Sequence, residues 1–131
     1  MTLRSNLRRS VAAAYAAIGV VAALAPARVP ELFGGTAGTP EARTEIRAVY
    51  AGIPLALAAS LTGARGSTPA DDAVLHTVAA ASAGMAAARL AGCLVERRLT
   101  AWPTGAFLAL EAALALASRV ATRTPEGLRT P

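Results

Sequence analysis

Four apolar segments, each close to the length of a membrane-spanning helix, constrain this chain more than any other feature of its sequence. They cover about residues 10–27, 46–63, 72–95 and 101–120. A helix needs about 20 predominantly apolar residues to cross a bilayer. Nothing between the segments alternates with the period of two that is typical of a strand. The pattern predicts an all-α, integral membrane four-helix bundle, with residues 1–131 as a single domain.

The source of the apolarity leaves a second fold open. Hydrophobic residues make up 54% of the chain but aromatic residues only 4%, so alanine, leucine and valine supply most of it. Alanine is only mildly apolar and is also the best helix former. A soluble helical bundle rich in alanine therefore remains the alternative.

The charges favour a membrane over nucleic acid as the partner. All thirteen basic residues are arginines, and the net charge is +5 at pH 7. A basic chain can bind nucleic acid, but these arginines lie mostly at the ends of the apolar segments, as the flanks of membrane helices do. We expect a lipid bilayer as the partner and no nucleic acid.

Metal and cofactor chemistry find little support in the sequence. Cys93 is the only cysteine and His76 the only histidine, so one chain can form neither a disulfide nor a Cys/His metal site. No glycine loop for phosphate and no nucleophile elbow is present. We expect no metal and no cofactor.

The first segment has two interpretations. Its arginine-rich start, apolar stretch and Ala25-Pro26-Ala27 also resemble a cleavable signal peptide, with cleavage after Ala27. Pro26 lies inside that cleavage site, which favours a retained helix.

Arginine counts give an orientation. We call the face with the N-terminus side A, and four helices place the second loop and the C-terminus there too. Side A receives seven arginines and side B five, and basic residues favour the cytoplasmic face. The sequence thus predicts a multi-pass protein of the cell membrane with both termini in the cytoplasm.

Two charged residues lie within predicted helices and should meet. Arg89 lies about ten residues before the turn near Leu99, and Glu111 lies about twelve after it. At about 1.5 Å per residue their depths differ by only about 3 Å. A charge at bilayer depth costs at least about 2.5 kcal/mol and needs a partner. We predict an Arg89–Glu111 pair, with Glu96 as a second possible partner of Arg89.

Further polar and aromatic residues belong to the same side-B half. Glu45, Arg47 and Tyr50 begin the second helix, and Trp102 begins the fourth. One interpretation is a polar ligand-binding pocket that opens to side B. The other is a structural pair between ordinary interfacial aromatic residues. Small residues at close-approach spacing, such as Gly84 and Ala88, favour tight packing within the chain or in a homodimer.

Several short motifs together resemble a known family. They are Pro30-Glu31-Leu32-Phe33-Gly34, Glu45-Ile46-Arg47-Ala48-Val49-Tyr50-Ala51-Gly52, Gly84 with Arg89-Leu90-Ala91-Gly92, and Glu111. In this order they resemble a bacterial family of small four-helix membrane proteins that carry a domain of unknown function, the 4345 type. The resemblance implies a membrane location and four helices, and it implies no reaction.

Three functions remain open from the sequence. The first is a structural bundle that binds a partner protein, a lipid or an apolar small molecule without turnover. The second is a cofactor-independent membrane enzyme, such as a cyclase, isomerase or epoxide-opening enzyme, with Glu111 as the general acid or base. A proton-coupled exporter ranks third, because Arg89 beside Glu111 would repel cations.

Overall fold

The chain is predominantly helical in the residues that its computed structural model describes, which are 2–65 and 68–123. The helices are α1 (Leu3–Leu24), α2 (Arg28–Glu31), α3 (Pro40–Ile46), α4 (Ile53–Gly63), α5 (Pro69–Val95) and α6 (Ala106–Arg123). A π-helical segment, Arg47–Gly52, joins α3 to α4, and an irregular turn, Ala101–Gly105, precedes α6. The predicted all-α class is confirmed for these residues.

Within the described residues, four helical spans are long and apolar enough to cross a membrane. They are Leu3–Leu24, Pro40–Gly63, Pro69–Val95 and Ala101–Thr122. The second span combines α3, the π-helical segment and α4. Only 17 to 28% of each apolar window is buried inside the protein, so most of the apolar side chains point outward.

Three spans begin earlier than the apolar segments because threonine caps lie in the polar flanks. The hydroxyl of Thr2 accepts a hydrogen bond from the Ser5 amide at 3.3 Å, and that of Thr39 accepts one from the Ala42 amide at 3.1 Å. Thr68 and Asp71 form a reciprocal capping box at the start of α5. The first span therefore starts at Leu3 rather than near residue 10.

The π-helical segment lies directly before Pro54. Proline lacks an amide hydrogen, and its ring clashes with the carbonyl four residues earlier in an α-helix. The wider π turn over Arg47–Gly52 lets the second span continue through this proline.

Contacts between distant residues fix which ends of the helices meet. Arg4 of α1 forms an ion pair with Asp72 of α5 at 2.5 Å. Arg8 donates to the Leu61 carbonyl at 2.5 Å, near the end of α4. At the opposite end, Arg47 Nε donates to the Ala23 carbonyl of α1 at 3.1 Å. Sides A and B therefore correspond to the two ends of the bundle.

The core is small and lies toward side A. Val11 and Tyr15 of α1 pack there with residues from α4, α5 and α6, which are Ala58, Leu61, Leu75, Val78, Leu114 and Ala121. The helices α5 and α6 pack along each other, as do α1 and α4, while α1 also contacts α6.

Gly19 of α1 packs tightly against the second span. A Cβ atom at this position would lie 2.6 Å from Leu55 Cγ and 3.1 Å from the Ala51 carbonyl oxygen. Gly84, which the sequence offers as a close-approach residue, has no atom within 4 Å of such a Cβ. Of these two glycines, only Gly19 makes a close contact within the chain.

Candidate functional site

The buried pair of Arg89 and Glu111 joins α5 to α6. Arg89 Nε donates to Glu111 Oε2 at 3.0 Å, and Arg89 Nη2 donates to Oε1 at 2.6 Å. The side chains are only 24% and 8% exposed. Such a two-pronged contact fits the planar guanidinium to the carboxylate and is among the strongest hydrogen-bonded pairs in proteins. The predicted pairing is confirmed, and the hydrogen bonds of Arg89 go to Glu111 rather than to Glu96.

Two phenylalanines pack around the Arg89 side of this pair. The guanidinium carbon lies 5.9 Å from the ring centre of Phe33 and 5.4 Å from that of Phe107. The two rings are 5.6 Å apart, and Trp102 lies 6.1 Å beyond Phe107. A cation within about 6 Å of an aromatic ring is attracted to it, more strongly where water is excluded. The aromatic rings therefore extend from Arg89 toward the surface of side B.

A second buried polar contact lies deeper in the bundle. The hydroxyls of Tyr15 and Ser82 are 2.6 Å apart, and the Ser82 hydroxyl also donates to the Val78 carbonyl at 2.8 Å. Because serine has a single hydroxyl hydrogen, Tyr15 must be the donor to Ser82. A buried hydrogen bond thus joins α1 to α5 in the middle of the bundle.

A groove of about 480 Å³ opens beside the pair at side B. We call it the side-B groove. Its apolar wall includes Phe33 and Trp102, and Glu96, Arg98 and Thr104 add polar groups. Cys93, a half-buried free cysteine, also lines it. The shape and lining suit an apolar molecule that carries a polar group.

The predicted site residues do not all lie together. Tyr50 is half-exposed, and Trp102 is connected to the pair through Phe107. Arg47 instead caps α1 through the Ala23 carbonyl, and Glu45 lies exposed on α3. Neither belongs to the lining of the side-B groove.

Sequence reasoning missed Tyr15, Phe33 and Phe107. Tyr15 lies one turn beyond Val11 on an apolar face, where it resembles any core residue. Phe33 follows the short helix α2, and no periodicity indicates which way that segment folds. The scarcity of aromatic residues was the available signal, since Phe33 and Phe107 are the only phenylalanines of the chain.

Metal ligation has no candidate in the described part of the chain. Within residues 2–65 and 68–123, no three His, Cys, Asp or Glu residues form a group that could hold an ion. Arg89 and Glu111 already satisfy one another.

Comparison with known proteins gives a family and no functional relative. No curated protein matches the chain, and no solved structure matches it. The sequence model of the domain of unknown function DUF4345 matches residues 9–122, which include most of the first span, the whole of the other three, the Arg89–Glu111 pair and the side-B groove. The chain therefore belongs to the DUF4345 family of domains of unknown function.

Proposed function

We propose that this protein is a multi-pass membrane protein that binds an amphipathic small molecule in the side-B groove, without turning it over. In this proposal the Arg89–Glu111 pair holds α5 against α6, and the aromatic residues beside it form the binding wall. The lipid bilayer is the surroundings of the helices, and side A faces the cytoplasm.

The outward-facing apolar residues support the membrane location. Many large apolar side chains are more than 40% exposed, among them Val21, Leu24, Leu94, Val95 and Leu116. Soluble monomers rarely expose large apolar patches. In a bilayer the same side chains contact lipid, where their exposure has no hydrophobic cost.

The geometry of Glu111 is the observation that favours binding over catalysis. Both carboxylate oxygens accept hydrogen bonds from Arg89, and the residue is 6% exposed. Glu111 does not belong to the lining of the side-B groove. A general base needs to reach a proton of the substrate directly or through one water. Here the carboxylate is directed at the guanidinium, which suits a structural partner.

The lining of the groove indicates the class of ligand. Phe33 and Trp102 offer aromatic faces for an apolar body, and the polar groups of Glu96, Arg98 and Thr104 offer hydrogen bonds to a head group. Most ligand pockets combine a largely apolar lining with a few polar groups in this way. A fatty acid is a suitable first probe of this class.

The test uses Trp102, the only tryptophan of the chain, as a reporter. A brominated fatty acid quenches tryptophan fluorescence only on contact, so titration of the protein in non-brominated micelles should give saturable quenching. The unbrominated acid should reverse it. Non-saturable quenching that the unbrominated acid leaves unchanged would contradict the proposal.

Two glycines of α5 provide a matched pair of variants. A Cβ at Gly92, which lines the groove, meets no atom within 4 Å, and the same holds at Gly84, which lies outside the lining. Gly92→Leu should therefore fill the groove and abolish saturable quenching without disturbing the fold. Gly84→Leu should bind as the unchanged protein does. Equal binding by both variants would place the ligand elsewhere.

A further inference from the structure

A second groove, at the opposite end of the bundle, differs in its charge. This side-A groove has a volume of about 600 Å³ and lies between α1 and α4. Three arginines line it, Arg8, Arg9 and Arg65, together with the hydroxyl residues Ser5 and Thr62. None of its lining residues is acidic. The groove therefore carries a concentrated positive charge beside hydrogen-bonding groups.

The polar and apolar parts of this groove are separated along the helix axes. The arginines and hydroxyl residues lie at the side-A ends of α1 and α4, whereas the remaining lining consists of Ala12, Ala13, Ala16 and Ala58. From Arg9 to Ala16 the helix rises by about 10 Å, which carries the alanine surface into the depth of a hydrocarbon core. A ligand that fills the groove must combine an anionic head with an apolar chain.

Arg8 holds a fixed charge in the wall of the groove. Its Nη1 donates to the Leu61 carbonyl at 2.5 Å and to the Thr62 carbonyl at 3.5 Å, and the residue is 9% exposed. These carbonyls belong to the last turn of α4, where partial negative charge favours a cation. Because Arg8 is held by backbone carbonyls of α4, its charge stays beside the groove when other side chains change conformation.

We propose that the side-A groove binds an anionic phospholipid, whose phosphate lies among Arg8, Arg9 and Arg65 and whose acyl chain lies along the alanines. The proposal rests on the membrane location proposed above and is independent of the side-B groove. A lipid fits better than free phosphate because the alanine surface continues beyond the arginines and offers an ion nothing to bind.

Native mass spectrometry of the full chain released from nonionic detergent tests this proposal. The protein is supplied with equal amounts of phosphatidylglycerol and phosphatidylcholine of the same acyl chains. We expect one phosphatidylglycerol to be retained in preference to phosphatidylcholine. Equal retention of the two lipids would overturn the assignment, because the arginines would then not select an anionic head group.

Single-charge variants locate the site. Arg9→Gln and Arg65→Gln should each weaken phosphatidylglycerol retention about fivefold, since a basic residue near the bilayer surface contributes about that factor for an anionic lipid. Arg119→Gln is the matched control, because Arg119 is an exposed arginine near the same end of α6 and outside the groove lining. Equal losses in all three variants would indicate general surface attraction and overturn the site.

Groove-filling variants test the acyl chain separately from the charge. Ala13→Phe should reduce lipid retention, whereas Ala17→Phe, also exposed on α1 but outside the lining, should not. Unchanged retention with Ala13→Phe would remove the alanine surface from the proposal.

Two further outcomes separate the remaining possibilities. Inorganic phosphate at millimolar concentration should not displace the lipid, and displacement would mean that the groove recognises a free anion instead. A chain that stays soluble without detergent would overturn the membrane location itself. A chain that requires detergent but shows no lipid preference would overturn the lipid site alone.

Discussion

At the residue scale, the Arg89–Glu111 pair couples stability to the presence of both charges. Removing two charges from water is expensive, and the pair recovers that cost only while both partners and their hydrogen bonds are present. Glu111 is 6% exposed, so it has little access to water as a substitute partner. Removing one of the two charges should therefore lower the free energy of unfolding more than removing both.

The pair is tested by comparing a single with a double substitution. Glu111→Gln leaves the Arg89 charge without its partner and should lower the free energy of unfolding by about 3 kcal/mol. Arg89→Met with Glu111→Leu removes both charges and should lower it by less. Denaturation of the protein in nonionic micelles by added sodium dodecyl sulfate measures both. A Glu111→Gln variant as stable as the unchanged protein would show that the pair does not hold α5 to α6.

The two tyrosines of the chain offer an internal comparison. Tyr15→Phe removes a buried hydrogen bond to Ser82 and should cost about 1 kcal/mol of the free energy of unfolding. Tyr50→Phe changes a half-exposed residue and should leave the free energy of unfolding within about 0.5 kcal/mol. Thermal unfolding followed by circular dichroism compares them. Equal stability of the two variants would contradict the assignment of Tyr15 as the donor to Ser82.

At the element scale, the stability of the bundle depends on the close packing of α1 against the second span. The α1 helix and the second span approach at Gly19, where the Leu55 side chain and the Ala51 carbonyl oxygen leave no room for a methyl group. Close contact through a glycine maximises van der Waals packing between helices in a lipid environment. The rest of α1 packs through larger side chains such as Val11 and Tyr15.

Two glycine-to-alanine substitutions should therefore have opposite signs. Gly19→Ala overpacks the contact and should lower the free energy of unfolding by about 1–3 kcal/mol. Gly84→Ala has open space around the new methyl group and should raise it by about 0.5–1 kcal/mol, because alanine favours the helix. Unfolding in nonionic micelles measures both changes. A Gly19→Ala variant with an unchanged free energy of unfolding would mean that α1 and the second span can move apart without loss of stability.

The sequence predicted the elements better than the contacts between them. The depth of Arg89 and Glu111 could be counted from one short turn, because α5 and α6 are consecutive helices. Phe33 could not be placed in this way, since it follows α2 and reaches Arg89 through a connection without periodicity. Gly19 was missed because it is one small residue in a helix full of them, and only its distance to Leu55 distinguishes it.

At the scale of the whole molecule, the two ends of the bundle differ in character. Side A presents a groove lined by arginines, and side B presents one lined by aromatic residues and both signs of charge. The arginine count of seven to five favours side A in the cytoplasm. The side-A groove would then face the leaflet where anionic lipids attract basic residues.

Cysteine labelling of intact cells tests this orientation. The native cysteine is first removed as Cys93→Ser. Gly38→Cys then places a thiol on side B, where a Cβ meets no atom within 4 Å, and it should react with a membrane-impermeant maleimide. Thr130→Cys, near the C-terminus, should react only after the membrane is opened. The opposite labelling pattern would reverse the orientation, and carbonate extraction of the chain as a soluble protein would exclude membrane insertion.

The wider π turn before Pro54 takes up one residue more than a regular α-helix would, so α3 and α4 keep their relative rotation although the chain between them is longer. One residue inserted between Pro54 and Leu55, where no second wide turn takes it up, would rotate the following side chains of α4 by about 100°. The lengthened span would stay nearly as apolar as before, yet Leu55 would leave Gly19. An insertion of this kind separates two requirements that substitutions affect together, namely entering a bilayer and packing correctly inside it.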